Sequence, residues 1–330
     1  MKRLNEISKN VIYRLFFRKY NLFENKLIEM TVETVSNNRN AQNIGGCKMQ
    51  YFKKSVVITL ALMLTFSTLA TAESRERFDR TIDASNVDAI EIMNINGKVE
   101  IESWSGDDIE INAVKKTRSG QSALDKVEIK ITTGSIVTVK TVKDGASCGN
   151  TTFFQGLFRN MFSGGGGVSV DYEIKIPESV ALKLAKSTNG YVSVRNVDGE
   201  MQLKSTNGNI NAENCQGEVT ANTTNGSIFV SGGSNVVSAH TTNGKIDVSL
   251  PNEINSDMRF RTTNGSIILH LDMDVNARLK CRTTNGRISA SGFRMIVNNI
   301  SKRNLDGTLG DGGSLIDAST TNGGITILEN

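Results

Sequence analysis

The stretch Thr223-Thr224-Asn225-Gly226-Ser227-Ile228-Phe229-Val230 recurs in related forms through the C-terminal half of this 330-residue chain. Its central tripeptide, Thr-Asn-Gly, occurs seven times, with asparagine at positions 189, 207, 225, 243, 264, 285 and 322. These asparagines are 18, 18, 18, 21, 21 and 37 residues apart. Such a period predicts stacked repeats, each of which is one supersecondary unit. The last interval is about two periods long, which predicts a degenerate coil around Asp306-Gly307.

Each repeat carries two strand patterns. Valine or isoleucine stands two residues after each glycine, and another apolar or small residue follows two positions later, as in Ile228 and Val230. This alternation predicts a half-buried strand. A second turn, such as Asp198-Gly199 or Gln216-Gly217, leads into a second strand. The apolar positions of that second strand include Met201, Leu203, Val219, Ala221, Val237 and Ala239.

One repeat cannot bury its apolar face alone, so we expect the repeats to stack strand on strand. The predicted fold is an all-β, single-stranded β-solenoid (β-helix) of about 18–21 residues per coil. Asn and Gly suit a tight corner with positive φ, and stacked Asn side chains can hydrogen-bond along the axis. The alternative is an antiparallel β-sandwich of Asn-Gly hairpins.

The repeats are interrupted at three places. The two 21-residue repeats predict projecting loops at residues 251–253 and 272–274, and residues 297–314 depart furthest from the pattern. We therefore expect a flexible excursion within 297–314.

The N-terminal part shows the same alternation less regularly, for example over residues 89–101 around Asn96-Gly97. We interpret residues 73–330 as one β domain whose N-terminal part caps the solenoid. Within it, residues 147–167 form an apolar and glycine-rich insertion, and residues 187–330 hold the regular repeats.

A leader precedes this domain. Lys53 and Lys54 are followed by an apolar run over residues 56–66 and then by Ala70-Thr71-Ala72. This order predicts a signal peptide over residues 49–72 that is cleaved after Ala72, and hence export to the periplasm or to the cell surface and medium. The alternative, a retained membrane anchor, would need about 20 apolar residues.

Residues 1–48 lie upstream of this signal, where a signal peptide normally has no preceding chain. We interpret them as a start-site extension that is not part of the fold, with initiation at Met49 or Met30. The alternative is a long n-region of the signal peptide.

The charge is divided unevenly between leader and domain. Residues 1–72 hold 11 Lys and Arg against 4 Asp and Glu, whereas residues 73–330 hold 27 against 30. The domain is therefore mildly acidic, although the whole chain has a net charge of +4. Because a general nucleic-acid binder needs an excess of positive charge, no nucleic-acid partner is expected.

A family resemblance rests on three segments: residues 96–111 (NGKVEIESWSGDDIEI), residues 172–177 (YEIKIP) and the Thr-Asn-Gly repeats. Together they resemble the bacterial putative-adhesin family, a β-strand-repeat domain of unknown function in envelope and secreted proteins. The resemblance covers roughly residues 75–330. It implies a β-solenoid and an envelope location, and it brings no catalytic residues.

The candidate reactive and metal-binding residues are few. Cys281 aligns with core positions and Cys215 with a corner, which predicts buried free thiols; the alternative is a disulfide from Cys148 to one of them. His240 and His270 alone predict no zinc site. Four aspartates match no calcium-loop spacing and are interpreted as solvated loop acids: Asp272, Asp274, Asp306 and Asp311. We predict no catalytic, cofactor-binding or metal-binding residues and no cofactor.

Residues 153–162 (FFQGLFRNMF) place their apolar side chains on one face of a short helix. We expect this helix to fold down over an open end or face of the solenoid. The alternative is a docking element for a membrane surface or a partner.

The function predicted from these features is that of a non-enzymatic, exported cell-envelope protein. Its solenoid wall would act as an adhesin-like binding surface or a structural surface, with an unknown envelope component, protein or glycan, as partner. The sequence stops within the repeat pattern, at residues 320–330. This predicts an open C-terminal strand edge for self-association. The alternative function is a polysaccharide-acting β-helix enzyme, which would need clustered carboxylates on one wall.

Overall fold

The computed structural model describes residues 73–143, 167–232, 235–290 and 292–330. These residues form β-strands and one short helix, α1 (Gln121–Leu124). The strands before the repeats are β1 (Ser74–Asp83), β2 (Ala89–Met93), β3 (Val99–Trp104), β4 (Asp108–Thr117), β5 (Val127–Thr132), β6 (Ile136–Lys143) and β7 (Ser169–Pro177). The remaining strands are β8 (Ala181–Asn189), β9 (Val192–Arg195), β10 (Met201–Asn207), β11 (Ile210–Glu213), β12 (Glu218–Asn225), β13 (Ile228–Ser231), β14 (Asn235–Asn243), β15 (Ile246–Ser249), β16 (Met258–Asn264), β17 (Ile267–Leu271), β18 (Ala277–Thr283), β19 (Ile288–Ala290), β20 (Met295–Ile300), β21 (Asn304–Leu309), β22 (Leu315–Asn322) and β23 (Ile325–Glu329).

The strands form two sheets. The eleven-stranded sheet has the order β1-β4-β7-β3-β9-β11-β13-β15-β17-β23-β19, and the twelve-stranded sheet has the order β20-β21-β18-β22-β16-β14-β12-β10-β8-β2-β6-β5. Each repeat gives one strand to each sheet, and equivalent strands of neighbouring coils pair in parallel. The predicted β-solenoid is confirmed. The alternative sandwich is wrong, because hairpins would pair consecutive strands antiparallel.

The core lies between the sheets and is lined by the predicted apolar positions. Ile210, Ile228, Ile246 and Ile267 are fully buried and adjacent in register along the eleven-stranded sheet. Burying each isoleucine stabilises the fold by about 1.5–3 kcal/mol. One predicted position is wrong: Val236 is buried rather than Val237, because a bulge in β14 makes Val237 the extra residue.

The corner glycines differ from expectation. Among the described residues, none of the Thr-Asn-Gly glycines has a positive φ. Gly97, in the irregular Asn96-Gly97 corner that precedes the repeats, has a φ of 111°. Positive φ instead occurs at the second corner, at Gly199, Gly217 and Gly232. The Thr-Asn-Gly glycines are required for another reason, which is the closeness of the neighbouring coil.

That closeness leaves no room for a side chain. A Cβ atom built on Gly226 would lie 2.1 Å from the carbonyl oxygen of Gly208 in the adjacent coil. The corresponding distances at the other tripeptides are 1.9 to 2.2 Å. The backbones of neighbouring coils are therefore in contact at every Thr-Asn-Gly corner. Only a residue without Cβ permits this contact.

Two columns of side-chain hydrogen bonds accompany this contact. The buried hydroxyl two residues before each asparagine donates to a glycine carbonyl of the neighbouring coil, as in Thr241 to Gly226 at 2.9 Å. The asparagine amides bond along the axis, for example Asn243 Nδ2 to Asn225 Oδ1 at 2.8 Å. The predicted asparagine stacking is thus confirmed. It satisfies polar groups that the corner would otherwise leave without hydrogen-bond partners.

The C-terminal end of the solenoid is stacked out of sequence. The last coil consists of β22 and β23. It lies between the coil formed by β16 and β17 and the coil formed by β18 and β19. The corner columns run through it without a break: Asn322 donates to Asn264, and Asn285 donates to Asn322. The predicted open C-terminal strand edge is therefore wrong, because β22 and β23 each have a neighbour on both sides.

Residues 295–309 form a hairpin at this end instead of a coil. Strand β21 pairs antiparallel with β18, and β20 pairs antiparallel with β21. The predicted degenerate coil around Asp306-Gly307 is wrong, and strand pairing replaces most of the expected excursion over 297–314. Leu305 and Leu309 are buried, so the hairpin extends the core beyond β18.

The N-terminal end repeats this arrangement. The coil formed by β2 and β3 has one neighbouring layer on each side. One layer is formed by β6 and β7, and the other by β8 and β9. Antiparallel strands β1, β4 and β5 occupy the outer edges, and Leu124 of α1 is fully buried there. Asn94 replaces the corner hydroxyl, donating to the carbonyl oxygen of Val170 at 2.7 Å.

Replacing Gly226 with alanine is expected to lower the free energy of unfolding by about 3 kcal/mol or more, because the clashing atom is backbone held in the stack. Gly167→Ala is the control: its φ is ordinary, and the nearest atom to an added Cβ is Asn96 Nδ2 at 3.8 Å. Urea unfolding of both variants measures the difference. A cost below about 1 kcal/mol at Gly226 would mean that the coils can spread apart.

Deleting residues 315–330 is expected to open the solenoid two coils from its end, since β19 pairs only with β23 and β16 loses one neighbour. Trypsin should then cut rapidly at Arg278, Lys280 and Arg282 in β18. A chain that lacks only residues 329–330 is the control and should resist. Equal resistance of the two truncated chains would contradict the inserted position of the last coil.

Candidate functional site

The outer face of the twelve-stranded sheet carries a column of cations. The residue three positions before each corner asparagine points outward, and these residues align across the paired strands. In order along the axis they are Lys140, Met93, Lys186, Lys204, Asn222, His240, Arg261, Ser319 and Arg282. This set, called the basic column below, holds five Lys or Arg residues and no acid.

The basic column is long and accessible. Neighbouring strands lie about 4.8 Å apart, so the column extends about 38 Å along the axis. Lys140, His240, Arg261 and Arg282 are exposed, and Lys186 is half-buried. Burial, and after it the neighbouring Lys204 ammonium, lower the pKa of Lys186.

Acids beside the column compensate it only in part. Arg261 forms an ion pair with Asp317 at 3.3 Å, and both side chains are partly exposed. Exposed pairs of this kind contribute at most about 1 kcal/mol. The adjacent outward column contains Glu91, Arg259, Asp317, Lys280 and Asp306 among neutral residues. The face as a whole therefore stays positive.

Hydroxyl groups flank the basic column on the other side. Of the threonines directly before the corner asparagines, Thr224, Thr263, Thr284 and Thr321 are exposed, whereas Thr188 is buried. Near the end of the column, Arg282 borders a shallow depression of about 350 Å³. Its other lining residues are Thr262, Thr283, Thr284, Asn304, Ser319, Thr320 and Thr321. Charge and hydroxyl groups are thus side by side.

The eleven-stranded sheet has the opposite charge in its equivalent column. Its residues in order are Asn112, Glu173, Glu100, Ser193, Asn211, Phe229, Asp247, Ile268, Thr326 and Ser289. This acidic column holds three carboxylates and no Lys or Arg. The two faces of the solenoid therefore differ in sign.

The acids near the N-terminal end are held by neighbouring groups. Lys98 Nζ lies 2.7 Å from Glu173 and 2.5 Å from Glu100. Burial opposes the charge of Lys98, but these two hydrogen bonds outweigh it and raise its pKa. Tyr191 donates to Glu100, and burial together with that bond raises the pKa of Tyr191 to about 12. The cluster is an ion-pair network on a flat wall.

The predicted thiols lie where the repeat register placed them. Cys215 and Cys281 are both fully buried. Cys148 lies outside the described residues, so the alternative of a disulfide from it stays a prediction. Burial raises the pKa of the Cys281 thiol to about 12.

The structure does not bring the two histidines together with the four aspartates considered from the sequence. His240 is exposed in the basic column, whereas His270 contacts Asp247 at 3.0 Å on the other sheet. Asp272 accepts a hydrogen bond from Asn330, and Asp306 accepts one from Asn298. Within the described ranges, no group of three or more His, Cys, Asp or Glu could hold a metal ion.

Two further observations concern membrane contact. The apolar segment 153–162 lies outside the described residues, so both interpretations of it remain predictions. In the part of the chain that the structure covers, no helix has the length and apolar character needed to cross a bilayer.

The parallel stack, the repeated corners and the two polar faces define a β-solenoid with extended surfaces. This chain belongs to the Toastrack DUF4097 family, whose model matches residues 29–328. None of the curated proteins matches it.

Two solved structures are similar to the chain at 12% identity. One is described as a "putative cell adhesion protein" from Clostridium sporogenes; the match covers 78% of this chain and 100% of that one, with a TM-score of 0.34. The other is a "putative adhesin" from Bacteroides fragilis; the match covers 78% and 98%, with a TM-score of 0.40. The match to the family model confirms the family resemblance drawn from the sequence.

The buried thiols provide a test of the core. With its pKa near 12, about one Cys281 thiol in ten thousand is ionised at pH 8, and only the thiolate reacts with iodoacetamide. We expect Cys215 and Cys281 to stay unlabelled in the native protein and to label readily in urea, as measured by peptide mass spectrometry. Labelling of native Cys281 at the unfolded rate would contradict its burial.

Proposed function

We propose that this protein is an exported, non-enzymatic component of the cell envelope whose solenoid walls bind another envelope component. The observation that carries this proposal is the continuous outer face of the twelve-stranded sheet. There, equivalent positions repeat from coil to coil over the length of the stack. A surface of this kind suits an extended partner, which meets the same chemistry at each step.

The arrangement of the acids supports a binding role over the alternative of a polysaccharide-acting enzyme. Glycoside hydrolysis needs two carboxyl groups that face each other across the scissile bond, one of them free to exchange a proton. Glu100 and Glu173 instead share the ammonium of Lys98 on a flat wall. Glu100 also accepts from Tyr191, and its pKa is lowered, which favours a permanent charge.

The support for export comes from the leader. Residues 49–72 contain a basic start, an 11-residue apolar run and a small-residue cleavage sequence. The domain that would follow cleavage is mildly acidic, so the basic column arises from segregation of charge between the two faces. Periplasm and cell surface are both compatible with this proposal.

The test is to produce the full chain in a bacterium and to fractionate the cells. We expect the protein in the envelope or medium to begin at Glu73, because cleavage removes the chain through Ala72. A variant without residues 49–72 should remain in the cytoplasm. The purified secreted protein should then cosediment with isolated envelope material.

An uncleaved chain confined to the cytoplasm would overturn the export part of the proposal. Turnover of any polysaccharide by the purified protein would overturn the non-enzymatic part, and the enzyme alternative would replace it. Absence of cosedimentation with envelope material would overturn the binding role.

A further inference from the structure

We propose that the basic column binds a linear, carboxylated polysaccharide that lies along the axis of the solenoid. This inference rests on the proposed binding role and adds the chemical class of the ligand. It assigns recognition to Lys140, Lys186, Lys204, Arg261 and Arg282 on the twelve-stranded sheet.

The geometry of the cations favours a polymer over a small anion. They occupy one outward column, so their spacing is set by the strand pairing, at multiples of about 4.8 Å. A small anion could reach only two adjacent positions, such as Lys186 and Lys204, which pair directly in register. A polymer can engage all five cations over about 38 Å.

The small energy of each single contact also favours a polymer. A single exposed ion pair contributes at most about 1 kcal/mol, so one contact would not hold a ligand. When the groups belong to one chain, each contact after the first is intramolecular, and every neutralised charge also releases a counterion. Weak contacts that repeat along a line therefore favour a polymeric anion.

The side chains beside the basic column favour an acidic glycan over a nucleic acid. Single-stranded nucleic acids are held by aromatic side chains that stack on the bases. The outward column positions of the described twelve-stranded sheet contain no Phe, Tyr or Trp. What flanks the cations is a column of threonine hydroxyls, which can donate to and accept from sugar hydroxyls.

The distribution of charge and the surface shape indicate where on the solenoid the polymer would lie. The acidic column on the eleven-stranded sheet disfavours the same polymer. Lys98 and Lys245 pair with its carboxylates, so it contributes a preference for the basic face and not an absolute block. At the end of the basic column, the depression beside Arg282 is lined by Thr284, Asn304, Ser319 and Thr321. It would accommodate one sugar ring between charge and hydroxyl groups.

The test measures binding of the full chain to immobilised polygalacturonate at 50 mM and 200 mM NaCl. The first variant neutralises three cations of the basic column: Lys204→Gln, Arg261→Gln and Arg282→Gln. The matched control loses the same charge on the eleven-stranded sheet: Lys175→Gln, Arg195→Gln and Lys245→Gln. Residues 1–72 are identical in all three proteins, so the basic leader cannot account for a difference.

We expect the first variant to bind polygalacturonate at least about tenfold more weakly at 50 mM NaCl, and the control to change less than about twofold. The slope of log affinity against log salt should fall by about two units when three contacts are lost. Urea unfolding of both variants should match the unsubstituted protein, which shows that the loss is not one of folding.

Equal weakening in both variants would overturn the proposal, as would binding of neutral dextran as tight as that of polygalacturonate. Tighter binding of polyuridylate would also overturn it and would assign the column to nucleic acid. If polygalacturonate does not bind while the protein still cosediments with envelope material, this inference fails and the proposed function stands. If polygalacturonate binds but the chain is neither cleaved nor exported, the proposed function fails and the column keeps its assignment.

Discussion

The contact between corner glycines of neighbouring coils determines the rest of the molecule. Each of these glycines lies against the carbonyl oxygen of the corner glycine in the adjacent coil. An added Cβ would lie 1.9 to 2.2 Å from that oxygen. This fixes the distance between coils at one strand spacing and prevents one coil from sliding past another. The hydroxyl bond to the same carbonyl and the asparagine amide ladder then fall into register. The outward columns are straight for the same reason.

Much of this fold could be predicted from the residues. The alternation after each glycine identifies the buried isoleucines, and the constant asparagine spacing identifies the parallel stack. The role of the glycine could not be predicted in the same way, because positive φ and close approach both select glycine and differ only once the neighbouring coil is in place. The order of the end coils was also beyond prediction. Every coil presents the same corner, so local pattern does not specify which coil is its neighbour.

The candidate site could be predicted only in part. The alignment of His240 with Arg261 and Arg282 marks an outward position, and reading three residues before each asparagine adds Lys186 and Lys204. Lys140 lies outside the repeats and joins the column only because β6 pairs in parallel with β2. The contrast with the acidic face likewise depends on register between strands far apart in sequence. Nothing in the spacing of those acids along the chain indicates that they share a wall.

The inserted last coil also has a consequence for the timing of folding. In a solenoid stacked in sequence order, coils can add one at a time as the chain is synthesised. Here the layer that separates the coil of β16 and β17 from the coil of β18 and β19 is supplied by residues 315–330, which are synthesised after both of those coils. The finished wall therefore forms only after residues 315–330 have emerged. Until then, β18 and β19 lack the layer on which they stack in the finished fold.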